Sequence, residues 1–305
     1  MRADLKADAE RAAVLALVDQ ADVRVEGYRP GVAERLGVGP QVCCGRNPGL
    51  VYGRMTGWGQ DGPLARTAGH DINYIALTGA LAAIGTAGEP VPPLNLVGDY
   101  GGGSMFLLAG VLAALVERAT SGVSQVVDAA MVDGASVLLQ GIQEMRAQGA
   151  WRDVRASNLI DGGAPYYRTY ACADGRHMAV GAIEPKFYAA LLDGLGLDPE
   201  ALPEQDDELR WDELADAVGD VFRTRPRDDW AALFAGTDAC ATPVLEFAEA
   251  SGHPHIAARG SQRTLEGGVV AGPAPRFSRS TGTTPPGGHE DLAAVTARWS
   301  DAVQR

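Results

Sequence analysis

"GLVYGRMTGWG", residues 49–59, reads as a mostly buried strand from Leu50 to Thr56 that runs into a glycine-rich loop, Gly57 to Pro63. Upstream, Asp8 to Ala21 carries helical spacing through Val14, Leu15, Leu17 and Val18, and Asp22 to Glu26 follows as a short strand. Gly27 and Pro30-Gly31 make a turn, and Val32 to Leu36 a short helix. Helix and strand therefore alternate, the pattern of a parallel α/β layer. Ligand crevices in such layers lie beyond the carboxyl ends of the strands, where "TGWGQDGP", residues 56–63, falls.

Beyond that loop, "GHDINYIALTG", residues 69–79, opens a helix at His70 and Asp71 and stops it at Thr78-Gly79. "PPLNLVGDYGGGSMFLLAGVLAALVER", residues 92–118, reads as a short extended segment, then Asp99, three glycines, and an apolar helix from Ser104 to Arg118. In this reading the stripe of Met105, Phe106, Leu108 and Leu112 is core. "SQVVDAAMVDGASVLL", residues 124–139, adds a strand and a helix. The pattern weakens from Met145 to Ile160, as in a connector. A second unit starts near Ala164, with strands "YYRTYAC" (166–172) and "HMAVGAI" (177–183) and the helix "PKFYAALLDGL" (185–195), which has Pro185 at its first position. A strand near Thr242 to Glu246 closes it. "SRSTGTTPPGGHE", residues 278–290, reads as a linker before an amphipathic helix, Asp291 to Val303.

Composition narrows the function. The 305-residue chain carries a net charge of −13, which argues against general nucleic-acid binding, since that needs a basic footprint. An anionic ligand must instead be held by a few local cations. Cys43, Cys44, Cys172 and Cys240 lack metal-ligand spacing, and His253-Pro-His255 has no partner spaced to complete a site, so no metal is expected. Four thiols in a chain of this length read as reduced cytosolic residues. The apolar run Met105 to Val116 is too short for a span of about 20 residues, and residues 1–20 lack a signal-peptide core. A cytoplasmic protein without a membrane span is the expectation.

Three side chains draw attention as chemistry. His70 stands after a glycine at a helix start, where free N–H groups face a developing anion, and Gly69 reads as room for close ligand approach. For a lone histidine a capping or core role is the usual explanation. Asp99 before Gly101-Gly102-Gly103 is a simple cap, or else a partly desolvated carboxylate suited to proton exchange or nucleophilic attack, the glycines having removed side chains that would block a ligand. Glu184 before Pro185 is favoured at a helix start by the dipole alone. Lys6, Arg29 and Arg35 read as solvated charges, although Tyr28-Arg29-Pro30-Gly31 makes a plausible anion-binding turn.

Residues 55–79 and 92–118, together with 124–134, "DGGAPYYRTY" (161–170), "VGAIEPKFYAALLDGLGL" (180–197), "DACATPVLEF" (238–247) and "PAPRFSR" (273–279), resemble the α-methylacyl-CoA racemases of the family III CoA-transferase superfamily across essentially the whole chain. The resemblance implies an interlocked homodimer. Each chain has a Rossmann-like large domain and a smaller α+β domain joined by long linkers. On this chain the large CoA-binding domain is 1–145, with 273–305 packing back on it. The linker is 146–163, the small domain 164–250 and the return linker 251–272.

The same resemblance implies that His70 and Asp99 are acid/base residues on opposite faces of the substrate α-carbon. It implies that Glu184 orients the histidine from a second subunit, and that the backbone N–H of Asp71 receives the enolate oxygen. CoA contacts carry over to Ala3, Asp4, Leu5 and Lys6, to Gly27, Tyr28, Arg29 and Arg35, and to Gly69, Asp71, Ile72, Asn73 and Tyr74. The substrate implied is a 2-methyl-branched acyl-CoA whose acyl group stays open, with no cofactor beyond the CoA of the substrate. Relatives of this kind carry a further strand-loop-helix-strand, on the order of 50 residues, before "ADLK", and the reading expects a misassigned start site. Two competing readings follow: a CoA transferase with Asp99 as nucleophile, from which the "GHDINY" histidine distinguishes a racemase, and an inactive acyl-CoA binder.

Overall fold

The computed structural model describes residues 2–265, 267–280, 282, 294, 295 and 297–299. The chain divides into two compact units, Met1–Arg155 with His289–Arg305, and Ala156–Gly288.

The first unit is built on three parallel strands in the order β1 (Val23–Glu26), β2 (Val51–Thr56) and β3 (Val126–Ala130). Val51, Tyr52, Gly53 and Arg54 of β2 are all buried, because β2 is central and covered on both faces. Helix α1 (Asp8–Val18), α2 (Val32–Arg35) and α3 (Pro40–Arg46) close one side. There Val18, Ala33, Val38, Cys43, Leu50 and Tyr52 form one cluster. Helix α3 was not anticipated from the sequence. After β2 come α4 (Asp71–Thr78) and α5 (Ala80–Ala83), and later α6 (Met105–Ser121), α7 (Met131–Leu138) and α8 (Gln140–Ala147).

The segment before α6 departs from expectation. Leu96–Ser104 is a π-helix continuous with α6, so Asp99 lies inside a helix rather than in an extended lead or a cap. Three glycines look like a loop in sequence, yet here they let helices touch. A Cβ at Gly102 would sit 2.6 Å from the Ala135 nitrogen, and one at Gly134 1.8 Å from the Gly102 oxygen.

Helix α6 is also not a core helix all round. Leu107 packs beside buried Val111 and Ala114 against Val51 of the sheet, whereas Met105 (59% exposed), Leu108, Leu112 and Val116 point away from the described residues. Apolar composition had marked Met105, Leu108 and Leu112 as core, but periodicity cannot say what covers a face. The continuous helix Leu96–Ser121 is long and apolar enough by length and composition to cross a membrane, unlike the shorter run visible in sequence. It also forms one layer of the α/β unit, through the contacts of α6 with β2 and β3.

In the second unit, β4 (Tyr167–Ala171), β5 (His177–Gly181) and β6 (Ala241–Pro243) form an antiparallel sheet in that order. Helices α9 (Pro185–Leu195), α10 (Trp211–Phe222) and α11 (Arg227–Phe234) accompany it. Its core is aromatic: Phe222 stacks on Tyr170 at 5.2 Å between ring centroids and meets Trp230 edge-on at 5.3 Å. The stretch 251–272, expected as linker, holds α13 (Pro254–Arg259), which follows the short α12 (Phe247–Ala250), and a hairpin of β7 (Gln262–Leu265) and β8 (Gly268–Ala271). Of the expected linker 146–163, residues up to Arg155 belong to the first unit and the rest to the second. Of the predicted helix Asp291 to Val303, residues 294, 295 and 297–299 are described and are helical, while its other residues and most of 278–290 lie outside the described residues.

Candidate active site

A pocket of about 320 Å³ opens at the carboxyl ends of β1 and β2. Gly27, Tyr28, Arg29, Gly69, His70 and Tyr74, all singled out from sequence, line it together. Met55, Trp58 and Met131 also line it and were not anticipated. The available signal was position: Met55 stands near the end of β2, Trp58 in the loop after it, and Met131 at the first residue after β3.

Each wall has a local cause. The Gly27-to-Pro30 rim is shaped by Glu26, whose Oε2 accepts the Tyr28 N–H at 2.7 Å. Glu26 is itself held by Arg54, whose Nε donates to Oε1 at 3.2 Å while Nη2 donates to Glu34 at 2.9 Å. The Glu26 side chain is 2% exposed, so this cation is what makes its burial tolerable.

On the far wall, the Tyr74 hydroxyl donates to the Gly69 carbonyl at 2.5 Å, and its ring meets Trp58 edge-on at 4.7 Å. The absent Gly69 side chain makes room for these rings, since a Cβ there would stand 2.7 Å from Tyr74 and 2.9 Å from Trp58. Burial first, then the Asp99 charge, push the Tyr74 phenol up, and Arg29 opposes them.

His70 is the exposed N-cap residue just before α4, and its N–H donates to Asn73 Oδ1 at 3.1 Å. Asn73 thus caps the helix. Ile72 is exposed. By helix geometry the first N–H groups of α4 have no intrahelical acceptor, and the Asn73 and Tyr74 N–H groups reach back to the His70 carbonyl, at 2.8 and 3.2 Å. Asp71 is buried, and its Oδ2 accepts the Asp99 N–H at 2.7 Å. The turn bearing His70 and the π-helix bearing Asp99 are therefore in direct contact.

Asp99 is half-buried, with Oδ2 accepting from Asn95 Nδ2 at 3.3 Å and its carbonyl accepting from Ser104 Oγ at 3.0 Å. It does not line the His70 pocket. Ala3, Asp4, Leu5, Lys6 and Arg35 do not line it either; Asp4 Oδ1 is occupied by the Lys6 N–H of its own turn. Glu184 belongs to the second unit, exposed at the N-terminus of α9. Among the described residues no group of three His, Cys, Asp or Glu is arranged to hold a metal.

The sequence profile of CoA-transferase family III matches residues 1–289. Alpha-methylacyl-CoA racemase of Mus musculus is 47% identical over 264 residues, which span 86% of this chain and 69% of that protein. The Homo sapiens racemase is 45% identical over the same length and shares. A CAIB/BAIF family protein from Brucella suis shares the fold with a TM-score of 0.79 at 24% identity, over 97% of this chain and 80% of that one. The chain belongs to CoA-transferase family III.

Proposed function

We propose that the protein is a racemase that interconverts the (R)- and (S)-epimers of 2-methylacyl-CoA thioesters. The contact that carries this reading is the Asp71-to-Asp99 hydrogen bond, which joins a histidine-bearing helix start to a carboxylate-bearing π-helix. The 45–47% identity to racemases supports it. In this reading neutral His70 takes the α-proton, and the C–H electron pair moves onto the thioester oxygen as an enolate. The N-terminal N–H groups of α4, that of Asp71 first, stabilise this negative charge. The Asp99 carboxylic acid then gives a proton to the opposite face. In reverse, the Asp99 carboxylate removes the proton and the His70 imidazolium returns it. The reaction is an isomerisation and consumes no co-reactant.

Arg29 and the Tyr28 turn are the proposed CoA contacts in the pocket, with Gly69 backbone beside them. Ala3 to Lys6 and Arg35 would serve only an extended ligand reaching past it. Met55 and Met131 give an adaptable apolar wall that accepts varied acyl groups. A cytoplasmic homodimer, with Glu184 of the second copy orienting His70, completes the reading, and the exposed apolar stripe on α6 supports a covering partner.

The test is incubation of a 2-methylacyl-CoA with the protein in D₂O, followed by NMR. We expect α-deuteration without CoA transfer, lost in His70→Ala. Transfer of CoA to a free acid would instead make Asp99 a nucleophile and the protein a transferase. Neither reaction would leave an acyl-CoA binder.

A further inference from the structure

We propose that the Asp71 side chain is a positioning residue that fixes Asp99 relative to His70, a role distinct from any contact of its backbone with substrate. The inference rests on the racemase reading for its kinetic consequence, but its structural part stands by itself.

A π-helix pairs each N–H with the carbonyl five residues earlier, so the N–H groups of its first turn lack acceptors within the helix. In Leu96–Ser104 the Tyr100 N–H bonds to the Asn95 carbonyl at 3.3 Å, and Asp99 is the residue just before it. Asn95, at the capping position, makes no side-chain cap. The acceptor for Asp99 comes instead from Asp71, 28 residues earlier and on another helix. The carboxylate of the residue next to His70 thus caps the segment that carries Asp99. Gly98 makes this possible, since a Cβ there would stand 2.6 Å from Asp71 Oδ2.

Stability alone does not account for the arrangement. Asp71 is 6% exposed, and its Oδ1 has no hydrogen-bond partner among the described residues. A buried carboxylate satisfied at one oxygen costs the fold, and its place at the start of α4 offsets only part of that. What the residue gains is geometry. It ties the helix start that bears His70 to the segment that bears Asp99, and a group displaced by about 1 Å loses on the order of 100-fold in rate.

The experiment compares wild type, Asp71→Ala and Asp71→Asn, the last retaining an acceptor oxygen. Epimer interconversion of a 2-methylacyl-CoA and hydrogen exchange at the Asp99 amide are both measured. Asp71→Ala should lower kcat about 100-fold with KM within about threefold, and speed Asp99 amide exchange about tenfold or more. Asp71→Asn should restore slow exchange and return kcat to within about tenfold of wild type.

The proposal is overturned if the Asp99 amide exchanges equally in all three proteins, or if Asp71→Asn loses as much kcat as Asp71→Ala. Wild type without epimer interconversion would sink the racemase reading alone, and amide exchange would still decide the tie. Should Asp71→Ala not fold, Gly98→Ala keeps both carboxylates and displaces one. It should open the same amide, and unchanged exchange there would equally refute the idea.

Discussion

Gly134→Ala tests how the Asp99 segment is held. The new methyl carbon would stand 1.8 Å from the Gly102 oxygen, whereas ordinary contact begins near 3.4 Å, so α7 and the π-helix must part by about 1.5 Å. The obstacle is main chain on both sides, with no rotamer to yield. Overpacking of this kind costs about 1–3 kcal/mol, and a rigid obstacle puts the cost near the upper end. Alanine returns up to about 1 kcal/mol through helix propensity, leaving a net loss of about 2 kcal/mol. For a unit of this size that is a fall in Tm of about 4–8 °C, measurable by calorimetry. Gly141→Ala in α8 is the control, because nothing stands within 4 Å of its added carbon. The same substitution there should be neutral or stabilising by about 0.5–1 kcal/mol. If Gly134→Ala melts with wild type, the close contact inferred between these helices is wrong.

Two further outcomes follow from charges. Arg54→Ala leaves Glu26 buried without its cation and should destabilise by about 3–5 kcal/mol in urea titration; a loss below about 1 kcal/mol would show that Glu26 finds another partner. In the second unit, Arg227 donates to both carboxylate oxygens of Glu249, at 2.7 and 2.8 Å, and holds its carboxyl at about 2 against an ordinary 4.5. A depressed carboxylate pKa stabilises above the unfolded value, so stability should fall as pH drops from 4.5 towards 2, and Glu249→Gln should flatten that dependence in urea midpoints measured against pH.

The alternation of elements was legible because each rests on local patterning. Helix α1, β2 and α9 lie within a few residues of their expected positions, and five of the expected CoA-binding positions converge with His70 on one pocket. What sequence hid is what depends on partners distant in the chain. Gly102 looked like an opening for a ligand, yet the volume above it belongs to α7; Gly69 does line the pocket, although the place of its Cβ is taken by Tyr74 and Trp58. A missing side chain shows that something approaches closely and does not say what. The stripe on α6 erred in the opposite direction: Leu112 has the composition of a core residue and 53% of its surface exposed. Glu26 and Arg54 did carry a usable signal, since charged residues on short buried strands must be paired.

The π-helix shows why the proposed acid/base pair needs more than the right side chains. An ordinary α-helix through Leu96–Ser104 would satisfy the Asp99 N–H within the helix, at the Asn95 carbonyl four residues earlier. The wider π turn leaves Asp99's N–H for Asp71 on one side. On the other, Gly102 is locked main chain to main chain against Gly134. Two restraints on one nine-residue segment remove its freedom to slide or rotate, so the placement of Asp99 comes from buried main-chain contacts rather than from its exposed surroundings. It follows that substitutions at exposed Leu94 or Tyr100 should leave the proposed chemistry intact, whereas single methyl groups at Gly98, Gly102 or Gly134 should not.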